Sequence, residues 1–199
     1  LLLALLGAYQ VLVAIFVQVG AAISGARLPA VDPDHLPSIS LLVPARDEER
    51  LLPRLLASLE PQVELFENLV FVDDQSKDST GAILDSFAAR YPGKVDVVHL
   101  TEKKPSQSPK LEAMKQGMHL VRGDVLLLTD ADCELPPEWA RETSSLFVDP
   151  EVALTIGPIV TRRTGTILAS YSAAEHLYRY LGAAGVAGLG IPAGGFGNN

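Results

Sequence analysis

The 199 residues carry 24 Asp and Glu against 16 Lys and Arg, a formal net charge of −8, which argues against a nucleic-acid partner held through its phosphates. A single cysteine, Cys133, excludes an intrachain disulfide and fits a reducing compartment. The length suits one α/β domain with a sizeable core plus an appendage.

Leu1 to Ile23 holds no charged residue, and Gln10 and Gln18 are its only strongly polar side chains. As a helix it would run roughly 35 Å at ~1.5 Å per residue, enough to cross a ~30 Å hydrocarbon core. We therefore expect a transmembrane helix over residues 1–24. A cleaved signal peptide is the alternative, although its basic n-region and short apolar core are not seen. Residues 25–37 read as a linker kept extended by Pro29, Pro33 and Pro37. Arg27 closely follows the apolar run, so the positive-inside tendency places the remainder on the cytoplasmic side of a membrane.

Strand and helix then alternate. Ile39 to Val43 is an apolar run that predicts a first strand. Arg50 to Leu59 predicts a helix with Leu51, Leu52, Leu55, Leu56 and Leu59 on one face, and Pro53 is tolerated in its first turn. Leu69 to Val72 is a second strand, ending at Asp73-Asp74. Ser79 can cap a helix burying Ile83, Leu84 and Phe87. Val95 to Leu100 is a third strand, and Lys110 to Val121 a helix with Leu111, Met114, Met118 and Val121 at core spacing. Val125 to Leu128 reads as a strand buried on both faces. It ends in Asp130 and Asp132, before a helix opened by Pro136 and Pro137. Ala153 to Ile156 predicts a fifth strand. Thr166 to Leu181 predicts a helix, and the glycine-rich Gly182 to Gly197 reads as loop. Such alternation argues for a mostly parallel sheet with helices on both faces.

Acidic clusters recur at one structural phase. Asp47-Glu48 follows the first strand, Asp73-Asp74 the second, and Asp130-Ala131-Asp132 the strand over 125–128. The carboxyl ends of parallel strands share one edge, where ligands of open α/β sheets bind. The three clusters should therefore converge on one cleft. Oxygen donors held there suit a hard divalent cation carrying a diphosphate.

Three blocks carry a resemblance: P-A-R-D-E-E (44–49), V-D-D-Q-S-K-D-S-T (72–80) and G-D-V-L-L-L-T-D-A-D (123–132). In order and spacing they resemble the hallmark blocks of family 2 glycosyltransferases, over about Ser38 to Asn199. Gln75 departs from the family's glycine. The resemblance implies a GT-A nucleotide-diphospho-sugar transferase fold, with a catalytic domain over 38–199. It further implies transfer of a sugar from a nucleotide-sugar donor to a lipid-linked or polysaccharide acceptor, by inverting displacement assisted by Mg²⁺ or Mn²⁺.

By position, Pro44, Ala45 and Glu48, with Arg46 in the same segment, resemble the lining of the base and ribose. Asp73 resembles the carboxylate that reads the base, and Asp74 beside it is read as structural. Lys110 resembles the family's basic residue near the diphosphate. Asp130, followed by Ala131, would hold ribose or metal-bound water, and Asp132 would ligate the metal. Gly195, Asn198 and Asn199 would border donor sugar and acceptor.

The general base is expected beyond Asn199, since the chain reads as a C-terminally truncated fragment. Glu175, inside a predicted helix, is read as solvated. Two further readings stay open. One is a sugar-phosphate nucleotidyltransferase, whose basic, glycine-rich phosphate loop is not matched by residues 44–49. The other is a membrane-bound nucleotide-sugar-binding scaffold without catalysis.

Overall fold

A computed structural model describes residues 14–20, 22–23, 36–101, 108–160 and 165–188. The chain divides into two units, Val31–Thr155 and, separately, Leu1–Ala30 with Ile156–Gly197.

The first unit is built on β1 (Ile39–Ala45), β2 (Phe66–Asp73), β3 (Val95–His99) and β4 (Val125–Leu128). Their order is β3-β2-β1-β4, and every pairing is parallel. The register aligns Ala45 with Asp73 and Asp73 with His99, so three strands end level on one edge. Order reverses between β1 and β4, which opens a crevice at the carboxyl ends of those two strands.

Side-chain alternation sorts the strands onto two cores. Leu41, Val43, Leu69 and Phe71 face one side, packed with Leu52, Leu55 and Leu59 of α1 (Leu52–Leu59) and Leu84 and Phe87 of α2 (Thr80–Arg90). Leu42, Val70 and Val72 face the other, beneath Ala113 of α3 (Pro109–Met118). Burying a leucine fully contributes about 1.5–3 kcal/mol. The leucine stripe of α1, four residues of which are buried, therefore anchors the first face.

The docking of α3 differs from its expected form. Leu111 and Met118 are half exposed, and the buried face is made by Ala113 and Gly117. A Cβ on Gly117 would come within 2.7 Å of Val72 and closer still to Leu42, so the helix lies against the sheet through its smallest residues. The long apolar side chains are thereby turned outward. The helix ends at Met118 and does not continue to Val121.

Two further expectations change. Residues 152–160 hold no regular structure, and Leu154 is 77% exposed, so the run at 153–156 forms no fifth strand. Apolarity alone does not make a strand where no neighbour offers backbone partners. Pro136 and Pro137 lie in the turn before α4 (Trp139–Ser145), with Trp139 packed against the first core.

In the second unit, residues 14–20 and 22–23 are helical, and α5 spans Ile167–Gly188. Helix thus runs through 182–188, where a glycine-rich loop was expected. Most of the expected membrane helix over 1–24 lies outside the described residues. Among those described, no helix is long and apolar enough to cross a membrane. Glu175 pairs with Arg179 along α5 at 3.7 Å.

Candidate active site

A cavity of about 370 Å³ opens at the switch point between β1 and β4. Pro44, Ala45, Arg46 and Glu48 reach it from the end of β1, and Asp74 from the end of β2. Pro109, Lys110 and Ala113 come from α3, and Asp130, Ala131 and Asp132 from the end of β4. Acids more than eighty residues apart in sequence thus share one cavity. A larger groove of about 500 Å³ between α1 and α2 is lined by Pro53, Leu56, Ile83 and Phe87 and holds none of these acids. Chemistry, not volume, singles out the smaller one.

The adjacent carboxylates at the end of β2 face different neighbours. Asp74 lines the cavity, and its Oδ2 accepts from Arg46 Nη1 at 3.3 Å. Asp73 is not among the lining residues. Its Oδ1 accepts the Ser76 amide at 3.0 Å, and its Oδ2 meets His99 Nδ1 at 3.0 Å. Burial alone would raise the Asp73 carboxyl, but hydrogen bonds from Ser76 and His99 outweigh it and leave the group below the usual carboxylate range.

Loops 46–49 and 75–80 are stitched together by reciprocal hydrogen bonds. Ser76 Oγ accepts the Asp47 amide at 3.0 Å, while Asp47 Oδ1 accepts the Lys77 amide at 2.7 Å. Thr80 Oγ1 accepts the Glu48 amide at 2.8 Å, and Asp78 Oδ2 accepts the Glu49 amide at 3.1 Å. Glu49 returns a carboxylate oxygen to the Ser79 amide at 3.1 Å. Ser79 itself makes no side-chain cap on α2, and Asp78 Oδ1 accepts the Thr80 amide instead. The polar residues of the first two blocks therefore rigidify one wall of the cavity.

On the opposite wall, Lys110 and Asp130 form an ion pair. Ser108 opens α3 by accepting the Leu111 amide, which sets Lys110 in the first turn. The loop after Asp132 is held from behind by two residues that hydrophobic patterning does not reveal. Ser58 Oγ accepts the Leu135 amide at 3.1 Å. Buried Gln62 donates to the Pro136 carbonyl at 2.9 Å and accepts the Ala140 amide at 2.9 Å. Their only sequence signal is polarity inside a leucine-rich segment.

Burial raises the Glu48 pKa above its ordinary value, reinforced by the nearby Asp132, Asp78 and Asp130 carboxylates. This excess of negative charge and an all-oxygen donor set fit a hard divalent cation. Among the described residues no three His, Cys, Asp or Glu side chains converge to enclose one. A cation held by Asp130 and Asp132 would complete its shell with water and ligand oxygens. Gly195, Asn198 and Asn199 lie outside the described residues.

The model of the family described as "Glycosyl transferase family 2" matches residues 40–187. The chain is 33% identical over 103 residues to an undecaprenyl-phosphate 4-deoxy-4-formamido-L-arabinose transferase of Pseudomonas fluorescens, covering 50% of this chain and 29% of that protein. It is 38% identical over 105 residues to a 4,4'-diaponeurosporenoate glycosyltransferase of Staphylococcus haemolyticus, covering 53% and 27%. A beta-monoglucosyldiacylglycerol synthase of Synechocystis matches at 29% over 130 residues, covering 64% and 26%. The chain thus spans under a third of the length of these relatives. Among solved structures, a mannosyltransferase from Pyrobaculum calidifontis in complex with GDP-Man and Mn²⁺ superposes with a TM-score of 0.59 at 23% identity, covering 75% of this chain and 44% of that one. That likeness concerns the fold, which is the α/β, GT-A-like architecture expected.

Proposed function

The chain belongs to glycosyl transferase family 2, and on that premise we propose that it forms the donor-binding part of an enzyme moving a sugar from a nucleoside diphosphate to a lipid-linked or glycan acceptor. The observation that carries this reading is the convergence of Glu48, Asp74, Lys110, Asp130 and Asp132 on one cavity at the switch point. Family membership also sets aside the nucleotidyltransferase alternative.

In this reading Pro44 and Ala45 lie along the base, and Asp74, the neighbour of the residue first assigned to the task, accepts its imide N–H. Asp73 supports it from behind. Arg46, 3.3 Å from Asp74, orients that carboxylate. Asp130 and Asp132 hold Mg²⁺ or Mn²⁺, which neutralises charge developing on the diphosphate leaving group. Lys110 supplies a second positive charge to the same phosphates. Glu48 faces the ribose and cation, and Ala131 leaves room between the two ligands. Gly195, Asn198 and Asn199, which lie outside the described residues, border donor sugar and acceptor in this reading, and no residue is assigned as general base.

A catalytic domain over 38–199, a membrane anchor over 1–24 and a cytoplasmic site complete the proposal. The uncharged N-terminal run supports the anchor. The lipids named in two relatives, undecaprenyl phosphate and diacylglycerol, support a lipid acceptor.

Calorimetric titration of the chain with UDP and with GDP, each with and without Mn²⁺, tests the site. Metal-dependent binding of one nucleotide, lost in Asp132→Ala, is expected. Failure of a folded chain to bind either nucleotide would overturn the assignment.

A further inference from the structure

His99, the last residue of β3, lies outside the cavity and between two carboxylates. Its Nδ1 stands 3.0 Å from Asp73 Oδ2, and its Nε2 stands 3.0 Å from Asp85 Oδ1 on α2. Asp73 is the hinge of the arrangement. Its second oxygen closes the Asp73–Ser76 turn, and that turn carries Asp74 into the cavity. The fit is close, because a Cβ on Gly81 would come 2.9 Å from Asp73 Oδ2 and 3.3 Å from His99 Cε1. Only glycine lets the first turn of α2 pass where ring and carboxylate meet.

We propose that His99 is a positioning residue: by bridging Asp73 and Asp85 it fixes the Asp73–Ser76 turn, and so sets how well Asp74 meets the nucleotide. This rests on the donor-site reading above.

The chemistry follows from the ring. A neutral imidazole has one N–H and one lone pair, so between two carboxylates it satisfies one and opposes the other. The imidazolium donates to both. Hydrogen bonding to Asp73, then to Asp85, raises the pKa of His99 against the opposing effect of partial burial. Among the described residues, the titratable groups facing the ring are Asp73 from β2 and Asp85 from α2. Both are carboxylates, so no positive charge there opposes protonation of the ring. The sign is therefore fixed: the turn is held fully below the folded pKa of His99 and loosens as pH rises through it.

The test uses the whole 199-residue chain, its His99→Gln variant and its Asp85→Asn variant. Hydrogen exchange at the Ser76 amide, corrected for intrinsic base catalysis, is followed against pH without ligand. Affinity for UDP and GDP with Mn²⁺ is followed over the same range, and the His99 titration is read from its imidazole NMR signals. Wild-type protection and affinity should fall together as His99 loses its proton, affinity by about tenfold, the size of one charge-assisted hydrogen bond. His99→Gln should be weaker at low pH and lack the step. Asp85→Asn should move the step to lower pH while leaving the Asp73 contact in place. A wild-type profile flat across the His99 titration, or a His99→Gln variant that retains the step, would overturn the role. If neither nucleotide binds at any pH, the donor-site reading fails, and Ser76 exchange alone still decides whether His99 holds the turn.

Discussion

Lys110 in the first turn of α3 and Asp130 beyond the end of β4 form an ion pair inside the cavity. The ammonium occupies one of the two carboxylates to which the cation is assigned, so lysine and metal compete for Asp130. With Lys110 49% and Asp130 28% exposed at their side chains, the pair contributes about 1 kcal/mol at most, equivalent to about fivefold in an equilibrium constant. Lys110→Met should therefore tighten binding of Mn²⁺ to the nucleotide-free protein by up to about fivefold. The same variant should weaken the Mn²⁺–nucleotide complex, because the diphosphate loses its counter-charge. Electron paramagnetic titration of free Mn²⁺, without and then with UDP or GDP, separates the two effects. Unchanged or weaker Mn²⁺ binding to the nucleotide-free variant would contradict the competition, and an undiminished Mn²⁺–nucleotide affinity would contradict the counter-charge.

Glu48 offers a pH test with a defined sign. Burial and the nearby Asp132, Asp78 and Asp130 raise its pKa above the ordinary 4.5. A carboxyl whose folded pKa is raised binds its proton more tightly in the folded chain. Folding is thus penalised progressively as pH climbs from 4.5 through the folded value, and the penalty is complete above it. Glu48→Gln should raise the melting temperature at about pH 7 and leave it unchanged at about pH 4. Adding Mn²⁺ with nucleotide should shrink the gain, since the cation relieves the same repulsion in the wild type. Thermal unfolding at the two pH values, with and without ligand, measures it.

Gln62 ties the end of α1 to the segment that follows Asp132. Its amide donates to the Ser58 and Pro136 carbonyls at 3.0 and 2.9 Å, and its oxygen accepts the Ala140 amide. At 1% exposure no water replaces those bonds. Gln62→Leu keeps the volume but leaves the Ala140 amide without its partner, while the Pro136 carbonyl keeps only the Trp139 amide, costing about 1–3 kcal/mol. Denaturant unfolding reads that loss. Nucleotide affinity with Mn²⁺ should fall too, whereas a destabilised variant with wild-type affinity would show that the clamp does not reach Asp132.

These residues also show how far sequence reading carries. The strands were legible because Leu41, Leu42 and Val43, and likewise Leu69, Val70 and Phe71, are apolar on both faces, as a doubly covered parallel sheet demands. The cavity was legible because acids stood at the carboxyl ends of three such strands. Which of two adjacent acids enters the cavity was not, since Asp73 and Asp74 differ only in the neighbours the fold supplies, Ser76 and His99 for one and Arg46 for the other. The face of α3 misled for a related reason. Periodicity rewards large side chains, but contact distance over Leu42 and Val72 was decided by Gly117. Ser58 and Gln62 act through backbone groups of a segment more than seventy residues away, which no local pattern encodes.

Gln75 adopts a φ of 59°, in the left-handed region, and stands where the resembled family has glycine. A side chain there costs about 1–2 kcal/mol, and glycine would return part of it to the unfolded chain as backbone entropy. Gln75→Gly should accordingly stabilise the fold by about 0.5–1 kcal/mol, while Gln75→Val, β-branched at the same φ, should destabilise it by more than about 1 kcal/mol. The turn also presents Asp74, so its rigidity bears on binding. Glycine removes strain but widens the conformations open to the ligand-free turn, so nucleotide affinity should hold or fall slightly as stability rises. Equilibrium unfolding beside calorimetric titration of the two variants decides this. Parallel gains in stability and affinity for Gln75→Gly would mean that strain at Gln75 displaces Asp74 from its best position, a cost that glycine would remove.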